Sequence, residues 1–205
     1  MDITLFLLGA TIIVSLTAFN NSNLMSKLIF NPYAVKKFGQ WYRLVTSGFI
    51  HANFFHLLIN MLVLYSFGRA VEMYYTEVFR NAAPYMFLAM YLTSIVAANI
   101  PTLLKYQEHS YYNSLGASGA VSAVVFASIL FNPYGKIYFY GIIGLPGILM
   151  GVAYLIYSYY MSKKGGSADN INHDAHFYGA LYGMLFTVVF KPKLVLYFFS
   201  MLIQF

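Results

Sequence analysis

A nucleophile, a base and hydrogen-bond donors are all present in this sequence, in three separate short clusters. The first is Gly116-Ala117-Ser118-Gly119. A serine at a helix start ordinarily caps it, and the two bracketing glycines also let a substrate or a second backbone come close. Free N–H groups and the dipole at such a start favour an alkoxide or an oxyanion. The second cluster is His173-Asp174-Ala175-His176, with Gly179 and Gly183 following on one helical face. Ser118, Gly119 and Ser122 form a similarly small face. Pressing the two faces together would bring His176 beside Ser118, where a neutral imidazole can accept the serine proton. The third cluster is His56 and Asn60, one helical turn apart and both able to donate toward one point. Each cluster also has a plain structural reading: an N-cap, a capping histidine with glycine packing, or polar side chains tying helices together. Asp174 points to a different helix face from His176, which favours capping or solvent exposure. Metal is the competing chemistry, because His56, His173, Asp174 and His176 could gather around a zinc ion. The sequence has no H-E-x-x-H, however, and no metal or cofactor is expected.

The elements that position these clusters are built for lipid. Hydrophobic residues make up 60% of the chain and charged residues only 9%, against roughly 25% charged in ordinary soluble domains. That composition excludes disorder and argues against a soluble globular domain. There is no cysteine, hence no disulfide and no thiolate site. The net charge of +6 comes from 12 basic residues scattered between apolar runs, so anionic lipid headgroups and not nucleic acid are the expected partner. A bilayer core about 30 Å thick takes roughly 20 helical residues. Six spans are predicted, at about 3–19, 54–68, 84–105, 118–132, 137–161 and 174–190, in a single membrane domain covering 1–205. The first has no basic n-region and no A-x-A site after it, so it reads as a retained span. Asn20–Gln40 is more polar, Gln107–Asn113 is a polar loop, Asn132–Gly135 is a turn signal, and Lys163–Asn172 is the most hydrophilic stretch. The apolar tail 194–205 is too short to span. With a cytoplasmic N-terminus, the inside loops hold Arg69, Arg80, Lys136, Lys191 and Lys193. The outside loops then hold Lys27, Lys36, Lys37, Arg43, Lys105, Lys163 and Lys164. Five against seven leans toward the opposite orientation.

Taken in order, these residues resemble the rhomboid family of intramembrane serine proteases. His51-x4-His56-x3-Asn60, Gly116-x-Ser118-Gly119 and Ala175-His176-x2-Gly179-x3-Gly183 match the family's patterns in its second, fourth and sixth spans. Gly68-x-Ala70-x-Glu72 looks like the end of its second span. The agreement runs from roughly Gln40 to Lys191. The resemblance implies an all-α membrane protein, a six-transmembrane-helix bundle whose first loop, Asn20–Ile50, is a partly embedded hairpin with Arg43 structural. It implies a cytoplasmic N-terminus and a site opening outward, in a bacterial cell membrane.

The resemblance also implies roles. Ser118 would be the nucleophile and His176 the general base, a dyad without an acid. His56, Asn60 and the backbone N–H of Ser118 would form the oxyanion hole. Gly116, Gly119, Gly179 and Gly183 would serve close packing, and Glu72 structure. Two departures stand out. The family often carries an aromatic residue four after the serine, stacked on the catalytic histidine, and here that residue is Ser122. Its Trp-Arg pair in the first loop is Tyr42-Arg43, with Trp41 one place earlier. The implied activity is hydrolysis of peptide bonds in or near transmembrane segments. Substrates would be single-span membrane proteins whose helix unwinds readily, because a helix hides its peptide bonds in backbone hydrogen bonds. Two other functions compete: a non-catalytic rhomboid-like protein that binds client helices, and a small transporter using His56, Asn60 and His176 as a polar pathway.

Overall fold

The computed structural model describes residues 2–139, 142–164 and 171–203. The chain opens with α1 (Ile3–Phe19), whose first turn is capped by the Asp2 side chain accepting from Leu5 N. Three short helices follow, α2 (Ser22–Leu28), α3 (Pro32–Phe38) and α4 (Arg43–Thr46), then a 3-10 turn at Ser47–Phe49. Asn21 and Asn31 cap α2 and α3. The long helices come next: α5 (Phe54–Phe79), α6 (Ala83–Tyr106) and α7 (Ser118–Phe131). An antiparallel hairpin pairs β1 (Lys136–Phe139) with β2 (Ile143–Pro146), Lys136 opposite Pro146. Last are α8 (Gly147–Lys164), α9 (His173–Phe190) and α10 (Lys193–Ile203), with α10 bent 114° from α9.

α7 is the centre. Every residue of it except Ser118 and Val125 is buried, under α5, α6, α8, α9 and α10. Small residues allow this enclosure, and α9 makes the most extensive contact with it. A Cβ on Gly179 would overlap the carbonyl oxygen of Gly119 and lie 2.8 Å from its carbonyl carbon. A Cβ on Gly183 would lie 2.5 Å from the carbonyl carbon of Ala123. Backbone touches backbone along this seam, which only glycine permits.

Polarity runs opposite to that of a soluble protein. Thr4, Thr11, Ser15, Ser94 and Thr187 are fully buried, while Leu62, Leu104, Ile156, Val189 and Leu196 stand 54%, 64%, 65%, 60% and 74% exposed. So much large apolar surface on several faces marks a protein solvated by lipid. Among the described residues, the run Phe54–Tyr106 containing α5 and α6 has the length and hydropathy of a membrane-crossing segment. The bent pair α9–α10 passes the same test only when taken together, and α1 and α7 are apolar but shorter.

Two boundaries differ from expectation. α5 does not end at Gly68 but continues to Phe79. Arg69 and Glu72 read as a span end, yet both serve α1. Glu72 accepts from Ile3 N (2.6 Å), Thr4 N (3.3 Å) and Thr4 Oγ1 (2.6 Å), and Arg69 pairs with Asp2. Glu72 thus satisfies orphan N–H groups at the start of another helix and meets the positive end of its dipole. The second difference is at 137–161. Its first part forms the β1–β2 hairpin, and helix begins only at Gly147, after Pro146, which cannot donate within a helix interior. Residues 165–170 of the hydrophilic loop and residues 204–205 of the tail lie outside the described residues.

Candidate active site

Ser118 is the first residue of α7, where the leading N–H groups have no intrahelical acceptor. The turn into it is pinned at three points by residues that lie between α1 and α5. Phe30 and Ser114 exchange backbone hydrogen bonds (3.0 and 2.9 Å), Gly116 N donates to Ser47 O (2.9 Å), and Ala117 N donates to His51 Nε2 (3.3 Å). Gly116 is required twice over. Its φ is +120°, which other residues rarely adopt, and a Cβ there would lie 2.7 Å from His56 Cε1.

His51 is completely buried. With Nε2 accepting from Ala117, its proton sits on Nδ1, 3.0 Å from Ser15 Oγ, which in turn donates to Phe49 O (2.9 Å). Burial, reinforced by neighbouring His56, depresses the His51 pKa to about 3. The ring is therefore a neutral strut between α1 and the turn that leads into Ser118. Arg43 is buried in the first loop and donates to Gln40 Oε1 (2.6 Å), Ser26 O (2.7 Å) and Ile29 O (2.7 Å), tying α2 to α4.

His56 and Asn60 occupy adjacent turns of α5. Ala52 N faces His56 Nδ1 at 3.5 Å, which leaves Nε2 as the donor, and Asn60 Nδ2 donates to His56 O (2.9 Å). On the opposite wall, Asn172 caps α9 by accepting from Ala175 N (3.0 Å). It also accepts from Thr102 Oγ1 and donates to Ser114 Oγ, both at 3.0 Å. Asp174 pairs with Lys105 (3.1 Å), whose ammonium also reaches Ser162 O (2.9 Å). Gly119 sits where a Cβ would lie 2.8 Å from that of Ala98 and 3.3 Å from Ala175 O. The α7–α9 seam therefore carries Ser118 and His176 on neighbouring helices. Ser118, His176, His56, Asn60, Tyr154 and Asn172 all line one cavity of about 1210 Å³. Among the described residues, no three His, Cys, Asp or Glu side chains gather as a metal site.

The sequence matches the Rhomboid domain family over residues 38–193. The chain belongs to the rhomboid family. It is 27% identical over 191 residues to the RHOMBOID-like protein 12, mitochondrial, of Arabidopsis thaliana, covering 86% of this chain and 54% of that one. It is 33% identical over 159 residues to the Rhomboid-like protein 11, chloroplastic, of the same plant, covering 75% and 54%. It is 32% identical over 155 residues to the Putative rhomboid protease YdcA of Bacillus subtilis, covering 76% and 70%. The chain spans about half the length of the two plant relatives. Family membership makes it a membrane protein. With relatives in a bacterium, in mitochondria and in a chloroplast, the expected bacterial cell membrane is not established.

Against the rhomboid expectation, sequence reasoning missed two features. His51 stood only as part of a spacing pattern, and nothing local tells that it meets Ala117, 66 residues away. The second is Tyr154 of α8, whose ring lies parallel to that of His176, with centroids 6.1 Å apart and planes 17° apart. Its hydroxyl is 2.6 Å from Ser122 Oγ. The residue found where the family often carries an aromatic is thus bonded to an aromatic from another helix.

Proposed function

We propose that this rhomboid is an intramembrane serine endopeptidase using Ser118 and His176. The observation that carries the reading is the glycine seam between α7 and α9. It sets the helix bearing Ser118 against the helix bearing His176, at the wall of a cavity that His56 and Asn60 also line. In this reading α1, α5, α6, α7, α8 and α9 are the six spans of one domain, with a cytoplasmic N-terminus. The helices α2–α4 form an embedded shelf beside the site, and α10 lies along the interface. α7 is only 14 residues long, about 21 Å at 1.5 Å per residue. Its start therefore lies below the membrane surface, and the cavity above it brings water to Ser118.

His176 takes the Ser118 proton as the hydroxyl oxygen attacks the scissile carbonyl. The oxyanion forms beside His56 Nε2, the Asn60 amide and the Ser118 N–H, donors already in place before the reaction. His176 then protonates the leaving amine, and water hydrolyses the acyl-enzyme by the same route. Asp174, paired with Lys105, takes no part. Substrates are membrane proteins with a transmembrane helix that unwinds near the site. The test is cleavage of a single-span reporter protein in liposomes. Wild type should cut it and Ser118→Ala should not, with both proteins melting alike. Equal cleavage by the two sinks the reading. Reporter binding without cleavage by wild type would favour a client-binding rhomboid.

A further inference from the structure

A general base must hold its ring as well as its place. Rotation of the imidazole about its bond to Cβ swings Nε2 away from the serine hydroxyl even when the helix stays put. Here Tyr154 lies against the face of His176, with its plane within 17° of the imidazole, an offset-stacked geometry within the usual range of centroid distances. From another direction the His173 ring meets His176 edge-on, with centroids 5.9 Å apart and planes 76° apart. His173 in turn meets Tyr157 of α8 edge-on at 5.4 Å. Two tyrosines one turn apart on α8 therefore clasp the two histidines at the head of α9.

Tyr154 is itself anchored to the helix that carries the nucleophile. Its hydroxyl bonds Ser122 Oγ at 2.6 Å, and its ring is tilted on Phe126 at 5.9 Å. Ser122 and Phe126 stand one and two turns after Ser118 on α7, so all three share a face. Ser122 is 6% exposed and its hydroxyl needs a partner at that depth. A serine there has no ring to offer His176. It does have an oxygen to hold one.

Resting on the dyad reading above, we propose that Ser122 and Tyr154 are positioning residues that together hold His176 in register with Ser118. The stacking ring is supplied by α8 and indexed to α7 through the Ser122–Tyr154 hydrogen bond.

The probe is a small fluorophosphonate, whose reaction with Ser118 reports alignment of the base without requiring a substrate helix to dock. In detergent, Tyr154→Ser should slow labelling by about 10²-fold, the scale of a 1 Å misplacement, and lower kcat on the reporter while leaving KM near wild type. Tyr154→Phe keeps the ring and loses the anchor, so its labelling should fall by about fivefold, the range spanned by one hydrogen bond. The decisive variant is the reciprocal exchange S122Y/Y154S, which returns the ring to α7 and the hydroxyl to α8. It should label at least tenfold faster than Tyr154→Ser alone. No gain from the exchange overturns the proposal. So does a Tyr154→Ser protein with normal labelling and a raised KM, which would make Tyr154 a substrate contact. If Tyr154→Ser does not fold, Tyr154→Leu replaces it, and equal labelling by the Leu and Phe variants overturns the proposal. The two levels separate cleanly. Wild-type labelling that disappears in Ser118→Ala keeps the dyad whatever the Tyr154 variants do, whereas a wild type that never labels removes both.

Discussion

Replacing Gly179 by alanine adds a single methyl group where α9 touches α7, and the structure says how far it must push. The new Cβ would overlap the Gly119 carbonyl oxygen and lie 2.8 Å and 3.0 Å from the carbonyl carbon and Cα of that residue. All three atoms are backbone, so no side chain can swing aside. Restoring ordinary contact means separating the helices by roughly 1 Å, and a displacement of that size between reacting groups costs about 10² in rate. The same overpacking should lower stability by about 1–3 kcal/mol. Gly179→Ala should therefore melt measurably lower and cleave the single-span reporter about a hundredfold more slowly. Gly9→Ala is the matched control, because a Cβ on Gly9 meets nothing within 4 Å. Its stability should be unchanged or raised by up to about 1 kcal/mol, with normal cleavage. A Gly179→Ala protein as stable and as active as wild type would refute the close seam, and with it the placement of His176 beside Ser118.

Three further outcomes follow from the geometry. His56→Ala and Asn60→Ala should each slow kcat by about 10²–10³, the loss typical of one oxyanion donor. A variant that melts lower with unchanged kcat marks its residue as a helix tie instead. Glu72→Gln should remove about 1.5–3 kcal/mol by weakening charge-assisted bonds to the start of α1, read as a lower melting temperature, while Ser118 still labels. His51 gives a pH dependence of defined sign. Its folded pKa of about 3 lies below the ordinary 6.5, so its contribution is complete above about pH 6.5 and shrinks by about 1.4 kcal/mol per pH unit below it. Stability of wild type should thus fall with acid more steeply than that of His51→Gln. Parallel acid profiles for the two proteins would exclude a neutral His51.

The helices that could be read from the sequence are those whose apolar runs end abruptly. α1 runs from Ile3 to the polar Asn20, and α9 starts behind Asn172 and stops before Lys191 and Pro192. α5 was legible only to Gly68, because Arg69 and Glu72 look like an exit from lipid until α1 is seen docked on them. The β1–β2 hairpin was hidden because Ile137–Pro146 is apolar enough to pass for helix. Of the site, the clusters were visible as fixed spacings within single helices. Contacts made across the fold were not. His51 meeting Ala117 and Tyr154 meeting His176 obey no spacing rule, since one comes from the link before α5 and the other from α8.

Covalent capture decides whether Ser118 is a nucleophile activated by His176. Purified protein is treated with a fluorophosphonate and the modified residue is mapped by mass spectrometry. A single adduct on Ser118 is expected, absent from Ser118→Ala and nearly absent from His176→Ala. An adduct on another serine such as Ser114, or undiminished labelling of Ser118 without His176, would contradict it.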